Sequence, residues 1–369
     1  EAFAEIPGPK TNINGKTTSW LVWFMFIGVL PAIIGMGGLV GAVAEAGTAM
    51  FPSINIHVWV FLSCLITWLI LIRGSYSILE NILLGMVLIF SLITLIIVFS
   101  MQSTSYELTS AQLLSGLNFS LPFEYLPLAL AVFGFTGISY GEIMAYTYWC
   151  LEKGYAQGDT EDIQETKNWI RTMQTDVWVT IFFITIGTLP FFFLGAGVLN
   201  TLPQLQESLA TQSFWDVDII GALQNMFSLV LGDWAKWLFI VLAFFILYST
   251  LLSGTAAFTR TISDYLISMG FIYEKENTRK KLIKLIAFLV PFFSGVFYFL
   301  LPNPITLLLI AGIWAAMGLP IVNIGAIYLS NKLQKELQPS LFIKSILWLS
   351  LIFQFAIAAL IVVDISANF

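Results

Sequence analysis

The chain has 369 residues, of which 58% are hydrophobic and only 10% charged, and its mean hydropathy is +0.87. That balance excludes a soluble domain and a disordered chain, and it identifies an all-α polytopic membrane protein, since the apolar stretches are long enough to span a bilayer. The formal net charge of −6 comes with dispersed basic residues, so no nucleic-acid partner is expected. Cys64 and Cys150 both fall within or at the end of predicted spans, which supports neither a disulfide framework nor a cysteine metal site. The lone His57 is expected at an interface. The opening Glu-Ala-Phe-Ala-Glu has neither an initiator methionine nor the layout of a signal peptide, and the chain reads as truncated at the front.

Taken in order, a polar, basic segment to Ser19 leads into a first span over about 20–43. There Gly35, Gly37, Gly38 and Gly41 make a smooth packing face and Pro31 can kink it. The second span covers about 58–72 and the third about 78–100, with Glu80 near its start, expected at the interface or paired with a cation. A polar connection over 101–120 precedes the central segment at about 126–149, and a charged stretch over 152–171 follows it. The fifth span is about 177–198 and contains Pro190. The connection over 200–233 is the longest and holds an amphipathic run at 219–231, expected to be a short helix capping an aqueous entrance. Spans six to nine cover about 234–258, 285–301, 305–330 and 342–363, the sixth continuing as a polar helix through Arg260 and Asp264. Arg260 and Asp264, one turn apart, are expected to pair with each other or to belong to a gate. Assigning alternate connections to opposite sides puts fifteen of the sixteen Lys and Arg residues in one set and only Lys236 in the other. Positive residues stay cytoplasmic, so nine spans are expected, with the start of this chain inside and its end outside.

The central segment carries the chemistry. Gly134-Phe-Thr-Gly-Ile-Ser-Tyr-Gly-Glu142 is too glycine-rich and too polar for the middle of a plain spanning helix. Irregular backbone at that depth survives only where protein buries it or where it lines a wet cavity, as in the broken helices of secondary transporters. Glu142 is the one acidic residue the spans place near mid-membrane, so it is the candidate cation ligand or proton carrier. Carbonyls freed at Gly134 and Gly137, together with Thr136, Ser139 and Tyr140, would add oxygen ligands for a hard cation. Asn323, two residues past the Gly318-Leu-Pro320 break, is expected to face the same cavity. Each of these has a plainer reading. Gly137 and Gly141 form a GxxxG packing pair, Glu142 could bond backbone or Tyr146, and Asn323 could bond a neighbouring helix. Nothing resembles a nucleophile and base, a phosphate loop or a His/Cys cage, so neither an enzyme nor a resident cofactor is expected.

The run Gly137-Ile-Ser-Tyr-Gly-Glu-Ile-Met-Ala-Tyr-Thr-Tyr-Trp-Cys-Leu-Glu-Lys-Gly-Tyr155 resembles the sixth-helix region of a divergent branch of the Nramp family of divalent-metal transporters. Asp233-Trp-Ala-Lys-Trp-Leu-Phe-Ile-Val-Leu-Ala-Phe-Phe-Ile-Leu-Tyr-Ser-Thr250 is similar to its eighth helix. The resemblance implies a LeuT-like inverted-repeat transporter fold in which residues 1–369 form one domain equivalent to helices three to eleven, the first two being absent. It also implies transport of a metal ion, usually with protons, across a plasma (inner) membrane. Gly141-Glu-Ile-Met144 stands where the family usually has Met-Pro-His-Asn, and Ala315 where many members have a glutamine ligand. A carboxylate in place of soft sulfur favours harder ions, so magnesium competes with manganese and iron. The rival reading is an amino-acid or other organic-solute transporter of the same fold.

Overall fold

The computed structural model describes residues 5–72, 76–118, 129, 132–134, 139–156, 162–201, 203, 219–275 and 277–368. A hairpin of β1 (Lys10–Ile13) and β2 (Lys16–Ser19) opens the fold. Helices follow: α1 (Trp20–Ile27), α2 (Val29–Met50), α3 (Ile56–Ile72), α4 (Tyr76–Met101), α5 (Ser110–Ser115) and α6 (Tyr140–Glu152). Then come α7 (Ile163–Gly197), α8 (Ile219–Leu231), α9 (Ala235–Ser268), α10 (Thr278–Leu300), α11 (Pro304–Lys332) and α12 (Leu341–Asn368).

Seven stretches are long and apolar enough to cross a membrane: Trp20–Met50, Glu80–Met101, Ile163–Thr201, Ala235–Ser268, Thr278–Leu300, Pro304–Lys332 and Leu341–Val362. With the shorter apolar α3 they match eight of the nine expected spans. The central one lies partly outside the described residues, which hold 129, 132–134 and 139–149 of it. The protein is an all-α polytopic membrane protein. The amphipathic run at 219–231 is a helix with those bounds, whereas three helices outrun their expected spans. α2 continues through alanines to Met50, with the Thr48 hydroxyl donating to the Ala44 carbonyl at 2.9 Å, and this takes Glu45 into the helix. α7 begins at Ile163 because the Asp162 carboxylate accepts the Gln164 N–H at 2.7 Å, so much of the charged stretch is helix rather than loop. The basic residues Arg279 to Lys284 likewise form the first turns of α10.

The hairpin was not expected from the sequence, although its signal is there. Asn14 and Gly15 both take positive φ (51° and 81°), the geometry of a two-residue I′ turn. It caps the end of α9. The Lys16 ammonium donates to the Ile267 carbonyl at 3.1 Å, the Thr18 hydroxyl to Ser268 at 3.1 Å and the Asn14 amide to Gly270 at 2.8 Å. A cation on the last carbonyls of a helix also complements its dipole.

α2 is the centre of the packing, touching α3, α9, α10 and α11. Its Met36, Leu39, Val40 and Val43 join Val60 and Cys64 of α3, Leu251, Leu252 and Ala256 of α9, Tyr298 of α10 and Leu307 of α11 in one buried cluster. Glycines set the spacing: a Cβ on Gly37 would lie 2.7 Å from the Ser294 carbonyl oxygen, and one on Gly38 would lie 2.5 Å from that of Pro304. α7 and α12 are peripheral, exposing Trp178, Phe182 and Phe192, and Phe342, Trp348 and Ile352, to the lipid.

Interhelical ion pairs join ends that the charge count assigns to one side. Lys153 approaches Glu80, Arg260 meets Glu152, Arg279 meets Asp264, and Lys332 meets Glu5. Glu80 thus has the cation its position required. Gly38→Ala is expected to destabilise the protein by about 1–3 kcal/mol through overpacking against backbone. Gly85→Ala, where no atom lies within 4 Å, is expected to be neutral or stabilising. Melting temperatures in detergent compare the two, and equal values would contradict the close approach.

Candidate functional site

The start of α6 is the best-defined part of the central segment. Ser139, extended at φ −75° and ψ 166°, is its N-cap, and the Glu142 carboxylate turns back to accept the Ser139 backbone N–H in a capping box. This is the plainer role weighed for Glu142, and it also fixes the carboxylate at the start of α6. Glu142 is exposed, and among the described residues no Lys or Arg pairs with it. Tyr146 donates instead to the Met173 carbonyl of α7 at 3.4 Å.

Tyr140 is buried and anchors α6 to α11. Its hydroxyl accepts the Trp314 indole N–H at 2.9 Å, and its ring lies against Gly318, where a Cβ would meet it at 2.6 Å. Gly28, between α1 and α2, leaves room for the same hydroxyl. Gly134 is pressed on the Gly312 backbone of α11, so any side chain there would collide with the Gly312 carbonyl oxygen and with Ala316. Phe133 beside it meets Phe353 of α12 edge-on at 5.7 Å. Thr136 and Gly137 lie outside the described residues.

Asn323 is turned elsewhere. Its amide donates to Ser350 Oγ at 3.3 Å and Gln354 Oε1 at 3.2 Å, both on α12. The structure therefore brings Gly134, Ser139, Tyr140 and Glu142 to one region beside α11 and does not bring the Asn323 amide to them. Among the described residues no three His, Cys, Asp or Glu side chains gather as a metal cage. A cation at α6 would thus depend on the Glu142 carboxylate, hydroxyls and backbone oxygens, a donor set suited to hard ions.

The expected Arg260–Asp264 pair does not form. Each finds a better-oriented partner on another helix, Arg260 bonding Glu152 of α6 through two nitrogens and Asp264 accepting from Arg279 of α10 at 2.8 Å. Nearby, the Tyr155 hydroxyl donates to Asp176 at 2.8 Å, and that bond pushes its pKa up to about 12. Sequence reasoning also passed over Glu45, which lies inside α2 half-buried, with the Tyr298 hydroxyl donating to it at 3.5 Å.

The family model described as Natural resistance-associated macrophage protein-like matches residues 10–364, nearly the whole chain. This chain belongs to the Nramp family. Nramp proteins are divalent-metal transporters, generally coupled to protons, and an integral multi-pass Nramp protein accounts for the long apolar helices. No curated protein matches the chain. In this Nramp chain, Tyr140→Phe removes the acceptor that the Trp314 indole has among the described residues and is expected to cost about 1–3 kcal/mol. The measurement is thermal unfolding in detergent, and an unchanged midpoint would show that α6 is not anchored there.

Proposed function

We propose that this Nramp protein is a secondary transporter that moves a divalent cation by alternating access around the interruption before α6, with protons as the coupled ion. Glu142 is the principal ligand. Carbonyls of Gly134 and Gly137 and the oxygens of Thr136, Ser139 and Tyr140 complete the shell, and Asn323 joins it only in a state that has released Ser350 and Gln354. The observation that carries this reading is Glu142 itself, a carboxylate without a cationic partner among the described residues, held at the first turn of a helix that follows a glycine-rich sequence. Acidic groups inside spans are costly to place and mark ion pathways. Gly141 rather than a methionine at the first position of Gly141-Glu-Ile-Met144 removes the family's soft sulfur ligand from that place and lets magnesium compete with manganese and iron.

The reading further takes the LeuT-like fold, with the helices here equivalent to three to eleven, and puts the lysine-rich ends in the cytoplasm of a plasma membrane. The distribution of Lys and Arg supports that orientation. Glu142→Gln is expected to abolish cation uptake into cells expressing the protein, or to uncouple it from proton entry, while surface abundance is kept. Unchanged, proton-coupled uptake by that variant would remove Glu142 from the site, and inhibition of uptake by amino acids would favour the organic-solute alternative.

A further inference from the structure

The last turn of α6 meets four other helices at once. Arg260 of α9 is 8% exposed, and its Nε and Nη2 donate to the two Glu152 carboxylate oxygens at 2.6 and 2.9 Å. Its Nη1 donates to the Ala256 carbonyl at 2.9 Å and to Thr259 Oγ1 at 3.2 Å, and the guanidinium lies 4.8 Å from the centre of the Trp149 ring. Arg279 of α10, itself held by Asp264, lies 5.7 Å from the Tyr148 ring. Lys153 is 3.8 Å from Glu80 of α4 and 3.7 Å from Asp176 of α7. These contacts are unequal. The lysine contacts are long and a third exposed, so solvent screens them. The Arg260–Glu152 fork is short and bidentate, its guanidinium buried and its carboxylate 28% exposed, and its geometry admits one orientation of the carboxylate.

An ion pair whose guanidinium is buried adds little stability over apolar side chains of the same shape, because desolvation offsets the attraction, and its best-attested use is to specify one arrangement. What it specifies here is the position of α6. The helix is fixed on α11 at Tyr140 and on α9 at Glu152, points about 18 Å apart at 1.5 Å per residue. We propose that Arg260 is a positioning residue for transport: by holding Glu152 it clamps the lysine-rich end of α6, and its release lets α6 pivot about Tyr140 and open the Glu142 region to that side. This rests on the reading of Glu142 as the ion site.

Cys150 makes the clamp measurable. It sits on α6 between Trp149 and Glu152 and is 6% exposed, while Cys64 of α3, 2% exposed with its thiol donating to the Pro291 carbonyl at 3.1 Å, is a control in the packed centre. The experiment is maleimide labelling of both native cysteines in membranes without added metal, quantified by mass spectrometry. Glu152→Gln is expected to raise the Cys150 rate about tenfold, the scale on which a minor open state becomes populated, and to leave Cys64 unchanged. Arg260→Lys is expected to restore part of the protection when compared with Arg260→Met, as is the exchange Glu152→Arg with Arg260→Glu. Because Glu152→Gln leaves a buried charge facing a neutral partner, Glu152→Gln with Arg260→Met serves as the second variant, with the same rise at Cys150 expected. Unchanged Cys150 labelling in both, or an equal rise at Cys64 in both, overturns the proposal. Uptake unaffected by Glu142→Gln would remove the ion-site reading alone and leave this labelling untouched, so the two fail separately.

Discussion

Inside a bilayer no hydrophobic force drives one helix against another, so helices are held by close contact and by internal hydrogen bonds. α2 meets that requirement with bare backbone. Gly35, Gly37 and Gly38 face the backbones or short side chains of α10 and α11, and Gly41 and Gly47 receive the rings of Tyr298 and Trp59. With those faces closed, α2 becomes the post around which α3, α9, α10 and α11 stand. Hydroxyl side chains in the packed region are satisfied there, within a helix as Thr67 to Ser63 and Thr255 to Leu251, at 2.7 Å each, or between helices as the Ser294 hydroxyl donates to the Ile33 carbonyl of α2 at 3.1 Å.

α6 is held differently. It reaches the post through a hydrogen-bonded tyrosine at one end and an ion pair at the other, and its neighbours α4 and α7 turn much of their surface to lipid. Directional contacts of this kind define a position while remaining breakable, whereas the glycine-lined contacts of α2 have no second arrangement nearby. In the alternating access proposed above, the glycine-packed helices would be the fixed part and α6 the moving one. The capping box at Ser139 and Glu142 sits at the Tyr140 end of this helix, beside the point about which it would pivot.

Much of the helix order was legible in the sequence because spanning imposes long apolar runs separated by charged connections. The amphipathic run at 219–231, the need of Glu80 for some cation and the packing glycines of α2 were all readable from composition, period and charge. Helix ends were read less well, since hydropathy stops where charge begins but hydrogen bonding does not, as the polar first half of α7 and the reach of α2 past Glu45 demonstrate. Partner choice was not legible. Arg260 and Asp264 have ideal spacing for each other, yet each bonds a helix more than ten residues away, information that exists only once the helices are packed. Asn323 is a similar case, its break-adjacent position saying nothing of which neighbour its amide meets. Asn14-Gly15 was a readable turn signal, overlooked beside a span that dominated the reading.

The central claim is that an oxygen-donor site around a single carboxylate moves a hard divalent cation. Competition of manganese uptake by other ions, measured on the unmodified protein in proteoliposomes with a proton gradient, tests it most directly. The account predicts that magnesium competes effectively and cadmium poorly. Strong competition by cadmium with none by magnesium would contradict it.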